Sequence, residues 1–367
     1  MDRAVGRRGF LAAVGAASLA GCLGDAGAGP DEVETAGTTT ADGESPPTAE
    51  RSLPLPFPPA DLRDMAVSGG PGKDGIPAID DPSFEGPNAA DQHLEPGAPV
   101  FGVAGETDVK AYPQSILVWH EVVNDAIDGR PVSVTYCPLT GTAMGFLRGG
   151  TTFGVSGRLF NNNLIMYDRA TETWWPQVLA TAVPGPWNES PETRSLREFR
   201  VVWTTWERWR ERHPDTGVLS RETGYAKNYD VDPYGSYNPR RGYYGLGSEP
   251  LFRSYAEDER FDAKAVVLGA RTAEGSVAFL KDSLRSASPM AGELDGVPHL
   301  AVYDADLDTG YVYRNPEGHE FDHRGADVVG ADGTAHAPAD LPLPRVLAFD
   351  AMWFAWNGFY PGSSVYD

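Results

Sequence analysis

Asp128-Gly129-Arg130-Pro131-Val132-Ser133-Val134-Thr135-Tyr136 returns 167 residues later as Asp295-Gly296-Val297-Pro298-His299-Leu300-Ala301-Val302-Tyr303. Asp-Gly is a turn signal and the run behind it is rich in β-branched residues, so each copy reads as a turn feeding a strand. At the same offset Phe101-Gly102 is echoed by Leu268-Gly269, Ala111-Tyr112 by Ala278-Phe279, Leu117 by Leu284 and Phe146 by Tyr313. Further on, Trp206, Trp209, Pro214 and Val218 meet Trp353, Trp356, Pro361 and Val365 at an offset of 147, so the second copy is 20 residues shorter. Three blocks in one order predict an internal repeat.

Each copy has the same coarse plan. An extended segment over residues 102–108 leads to a helix with Pro113 in its first turn, where a missing N–H costs nothing. Ile116, Leu117, Trp119, His120 and Val123 recur at helical spacing, and the helix is expected to stop near Asp128-Gly129. The strand 132–136 and a return strand 143–148 follow, then strands at 153–156 and 164–167. Trp203, Trp206, Trp209 and Arg210 are assigned to a second helix ending by His213-Pro214. The expected fold is α+β, two similar halves of antiparallel strands with a few helices, after a disordered tether. The halves are 61–225 and 262–367, joined by a Tyr/Gly-rich connector at 226–261 that is expected to be ordered by its aromatic rings.

The N-terminus reads as an address. Arg7-Arg8 precede a short apolar run from Leu11 to Ala20, which ends in Leu19-Ala20-Gly21-Cys22. Paired arginines, a run too short to span a bilayer and a boxed cysteine predict a twin-arginine lipoprotein signal over 1–21. Cys22 is then the lipid attachment point, and the chain is expected to be exported and anchored to the outer face of the cell membrane. Residues 22–60 are expected to be a tether with an r.m.s. reach of roughly 30 Å.

Of 367 residues, 41% are hydrophobic, enough for two ordinary cores. The charge is skewed: 52 Asp and Glu against 30 Lys and Arg give −22, with only 5 Lys. That surface repels phosphate and argues against a nucleic-acid partner. Excess Asp with scarce Lys suits concentrated salt, where self-repulsion is screened. Two cysteines exclude a disulfide scaffold.

Reactive residue types gather in the first half. His120, Glu121 and Cys137 face Ala287, Ser288 and Asp304 in the second copy. A thiol with a nearby imidazole can be a nucleophile or a soft-metal ligand. Cys137, His120, Glu121 and Asp168 are therefore the candidate catalytic residues, and Cys137 and His120 the candidate metal ligands. Asn161, Asn163, Arg169 and Gln177 are candidate ligand-binding residues. His120-Glu121-Val122-Val123-Asn124 lacks the second His of a zinc-protease helix. The run holding Asp304, Asp306 and Asp308 lacks the Gly and distal Glu of a calcium loop.

Several linked motifs resemble one family. Val134-Thr135-Tyr136-Cys137-Pro138-Leu139-Thr140-Gly141-Thr142-Ala143, Trp119-His120-Glu121, Phe153-Gly154-Val155-Ser156-Gly157, Met166-Tyr167-Asp168-Arg169 and Trp174-Trp175-Pro176-Gln177 closely resemble the domain of unknown function 3179 family. The resemblance spans about residues 75–367 and implies an exported lipoprotein form of halophilic archaeal type. It brings no established activity. Relatives carry Cys-Pro-Leu-Cys at this place, whereas Thr140 stands at the second cysteine here, which speaks against a dithiol. Three readings follow: binding of a small ligand or soft metal ion through a Cys137/His120 pocket, a Cys-nucleophile enzyme, and an envelope scaffold with a protein partner.

Overall fold

The structure, a computed structural model, describes residues 45–367. The expected export signal, Cys22 and the expected tether as far as residue 44 lie outside the described residues. The fold is α+β, built mostly of antiparallel strands with six short helices among the described residues.

In the first block β1 (Pro99–Ala104) pairs with β2 (Val109–Pro113), and α1 (Gln114–His120) follows. A meander of β3 (Val122–Ile127), β4 (Arg130–Cys137) and β5 (Thr142–Leu147) comes next. A second sheet contains β6 (Phe153–Phe160), β7 (Asn163–Asp168) and β8 (Trp174–Pro176). The chain then returns through β9 (Val202–Thr205), α2 (Trp206–Arg212) and β10 (Gly217–Leu219). β9 lies antiparallel to β1 and β10 parallel to β2, so the order is β9-β1-β2-β10.

The later block uses β11 (Val266–Arg271), β12 (Ser276–Leu280), α3 (Lys281–Ala287), β13 (Met290–Leu294), β14 (Val297–Asp304) and β15 (Thr309–Arg314). It closes with β16 (Ala348–Met352), α4 (Trp353–Phe359) and β17 (Ser364–Tyr366). The sheet order is β16-β11-β12-β17, with β16 antiparallel and β17 parallel to their neighbours. One packing detail occurs in both blocks. A Cβ on Gly102 would stand 2.1 Å from the Trp209 ring, and one on Gly269 would stand 2.1 Å from the Trp356 ring. Only glycine lets either indole lie flat on its strand.

Two arginines, Arg271 buried and Arg200 half-buried, cross between the blocks in opposite directions. Arg271 of β11 donates to Val178 O and makes a paired contact with Glu198. Arg200 donates to Gly310 O and Thr309 Oγ1, with its guanidinium 4.1 Å from the Tyr311 ring centroid.

Three expectations need correcting. The first helix stops at His120, because Glu121 turns left-handed at φ 58° and the β-branched Val122-Val123 pair with β4 as a strand. Trp203 lies on β9 rather than a helix, since the run 201–205 is β-branched and pairs with β1. The stretch 45–60 is not free tether: Thr48 bridges Leu196, and Leu53, Leu55 and Phe57 pack on the main core, because those apolar side chains have surface to bury.

Candidate functional site

Cys137 is the last residue of β4, followed by a turn with Gly141 at φ 60°. Its thiol is buried, pointing at Asn162 O at 3.5 Å and receiving the Leu164 N–H at 3.4 Å. Burial, and then the Glu121 charge, push the thiol up to about 11, with bonds from Thr140 and Leu164 offsetting part of it. At neutral pH the sulfur is therefore a thiol and a poor nucleophile.

His120 faces elsewhere. Nδ1 stands 2.7 Å from Pro77 O, which can only accept, so Nδ1 donates. Nε2 then accepts from Tyr229 Oη at 2.7 Å. Burial pulls the imidazole below its usual range, assisted by the Lys227 charge and opposed by the Pro77 carbonyl, so the ring is neutral. Its hydrogen-bond partners and those of Cys137 are disjoint. Among the described residues no three of His, Cys, Asp and Glu stand together as a metal group.

The groups acting on Cys137 are different ones. Glu121 is 6% exposed, and its carboxyl makes no hydrogen bond among the described residues. Burial alone pushes it up to about 8. Lys264 is fully buried with an unpartnered Nζ, 3.1 Å from the Tyr243 ring centroid. Burial pulls it down to about 7, against the charges of Cys137 and Glu249. Tyr234 and Tyr243 are raised, first by burial, and Tyr243 Oη donates to Leu139 O at 2.7 Å. Lys264 was missed from sequence, although a lone lysine in Ala263-Lys264-Ala265-Val266-Val267 is a visible signal in a chain with 5.

The remaining candidates are held in internal networks. Asn163 donates to Thr140 Oγ1 and to Gln177 Oε1, and accepts from Val178 N. Gln177 Nε2 donates to Thr135 Oγ1. Asn161 bonds Ala355 O and Tyr255 N, fastening the connector and α4. Asp168 accepts from Thr171 and from Trp175 Nε1, closing its turn. Arg169 pairs with Asp80 and Asp74.

One cavity lies between the blocks. It measures about 270 Å³ and is lined by residues of β9, the connector, α3 and β16, and not by Cys137 or His120. Its charged residues are Arg240, Lys281 and Arg285 against Asp308 and Asp350. Lys281 pairs with Asp350, and Arg285 grips Asp308 through two bonds of 2.8 Å. Asp308 is lowered despite its burial, because the Lys281 and Arg285 charges and the Tyr303 hydroxyl outweigh desolvation. Trp203 and Tyr237 supply aromatic surface, their centroids 5.0 Å apart at 72°. The lining contains four pairs separated by 167 or 147 residues: Pro99 with Val266, Gly141 with Asp308, Trp203 with Asp350, and Thr205 with Met352. The cavity adjoins the thiol region, since Arg240 Nη1 donates to Lys264 O at 3.0 Å and Met352 N to Thr140 O at 2.9 Å.

Comparison with protein-family models matches residues 73–363 to the family described as protein of unknown function (DUF3179). The match covers most of the chain, and the chain belongs to that family. No curated protein and no solved structure matches it.

Proposed function

We propose that this member of the family is an exported, lipid-anchored protein that binds a small molecule in the cavity between two halves related by duplication. The observation that carries the reading is the cavity itself: about 270 Å³, with aromatic and charged residues from both blocks and the connector. Small-molecule sites are concave, set a few placed polar groups among apolar and aromatic ones, and are favoured at seams between domains. Duplication is supported by the matched strand orders and by the Gly102/Trp209 and Gly269/Trp356 pairs. Binding through a Cys137/His120 pocket has less support, because the two side chains have no common partner and the thiol is protonated.

The anchor and the site are tested separately. Cys22→Ala should release the protein from cells into the medium, where the unaltered protein stays with the membrane. For the site, Thr205→Phe places a ring in the cavity. A ligand at about a hundred times its Kd should stabilise the unaltered protein by ~2.7 kcal/mol and leave Thr205→Phe unmoved. Equal stabilisation of both proteins would contradict the reading.

One observation favours a second reading, a Cys137-centred enzyme. Lys264 is buried with an unpartnered Nζ, Glu121 is buried and raised by that burial, and both titrate near neutrality, as acid–base groups do. Here Lys264, not His120, would receive the thiol proton. Alkylation of Cys137 that quickens with pH near 7 and loses that dependence in Lys264→Met supports it; a rate rising only above pH 10 counts against it.

A further inference from the structure

We propose that the ligand of the cavity is a small organic anion, with its carboxylate or phosphate head on Arg240 and its body against Trp203 and Tyr237. This rests on the reading that the cavity is a binding site. The charges lining it are unequal. Lys281 and Arg285 are each neutralised by an adjacent carboxylate, Asp350 and Asp308. Arg240 has no carboxylate partner among the described residues and uses one N–H on Lys264 O. Its remaining donors form the planar fork that suits two oxygens of one anion. The cavity therefore holds three cations against two carboxylates in a chain of net charge −22.

The net charge does not defeat this. At 1 M salt the Debye length is about 3 Å, so distant carboxylates are screened and the contact guanidinium is not. A cationic ligand would meet Arg240 directly, with both carboxylates already engaged. The aromatic part is equally defined. Trp203 packs edge-on to Tyr237, and its indole N–H makes no hydrogen bond among the described residues. Tyr237 in turn stacks on Tyr244 at 3.8 Å, so this wall is rigid. The volume suits a body of about ten heavy atoms, just below the usual range of small-molecule sites.

The test is titration calorimetry in 1 M KCl with three probes: phenyl phosphate, inorganic phosphate and phenol. Phenyl phosphate is expected to bind at least tenfold tighter than either fragment. Arg240→Gln should weaken phenyl phosphate at least tenfold and leave phenol unchanged, while Arg240→Lys should retain part of the affinity. Arg240 is exposed on a hairpin, so these variants should fold; unchanged circular dichroism checks it. Phenol binding as tightly as phenyl phosphate, blocked by Thr205→Phe and indifferent to Arg240→Gln, would overturn the anion and leave the cavity site standing. No binding by any probe would overturn both.

Discussion

Changing Glu121 to Gln removes one ionisable group without changing its shape. In the folded protein burial moves this carboxyl from 4.5 to about 8. Between those pH values the native chain holds a proton that the unfolded chain has lost, so stability falls as pH rises. Below pH 4.5 both states are protonated and nothing is lost. Above pH 8 the cost is complete, and at about 1.4 kcal/mol per pH unit it amounts to ~5 kcal/mol. Glutamine stays neutral throughout and mimics the protonated side chain. Lys264 titrates from about 7 folded toward 10.5 unfolded, so its contribution rises with pH over that window. It appears in both proteins and cancels in their difference. The assay is urea unfolding of both proteins in 1 M KCl at pH 5, 6, 7, 8 and 9. The advantage of Glu121→Gln should grow by several kcal/mol from pH 5 to 8 and then level off. A difference independent of pH would refute the argument, because Glu121 would then be solvated or partnered in solution.

Gly102→Ala and Gly269→Ala should each cost at least ~2 kcal/mol, since both methyls meet an indole at 2.1 Å; chemical denaturation showing one costly and one harmless would break the equivalence of the two blocks. Arg271→Ala leaves the mostly covered Glu198 carboxylate unpaired and should cost ~3 kcal/mol, with part recovered in the double variant carrying Glu198→Ala; a cost unaltered in the double variant would contradict the ion pair. Iodoacetamide at pH 8 should label Cys137 far more slowly in the folded than in the urea-unfolded protein, because the buried thiol sits near 11; equal rates by mass spectrometry would contradict its burial.

The fold was legible where local pattern and pairing agree. Asp128-Gly129 and Asp295-Gly296 do form turns with left-handed backbone, and each feeds a strand of eight residues. It was illegible where one residue changes the geometry. Glu121 in the left-handed region turns the chain between two adjacent side chains, sending His120 to Pro77 and Tyr229 while Glu121 acts on Cys137. Helical spacing carried through Val123 could not register that turn. Trp203 followed the same logic, with aromatic spacing suggesting a helix and β-branched neighbours deciding for a strand. For the site, Cys137 was found because thiols are rare, but Lys264, Tyr234 and Tyr243, which feel its charge, come from more than ninety residues away. The cavity was beyond reach for the same reason. Arg240, Lys281 and Trp203 meet only after two sheets and a connector have packed.

A crystal structure grown with phenyl phosphate examines the cavity most directly. The phosphate oxygens should lie within hydrogen-bond distance of the Arg240 guanidinium, with the phenyl ring against Trp203. Clear density for the probe anywhere else, with this cavity filled only by solvent, would contradict the account.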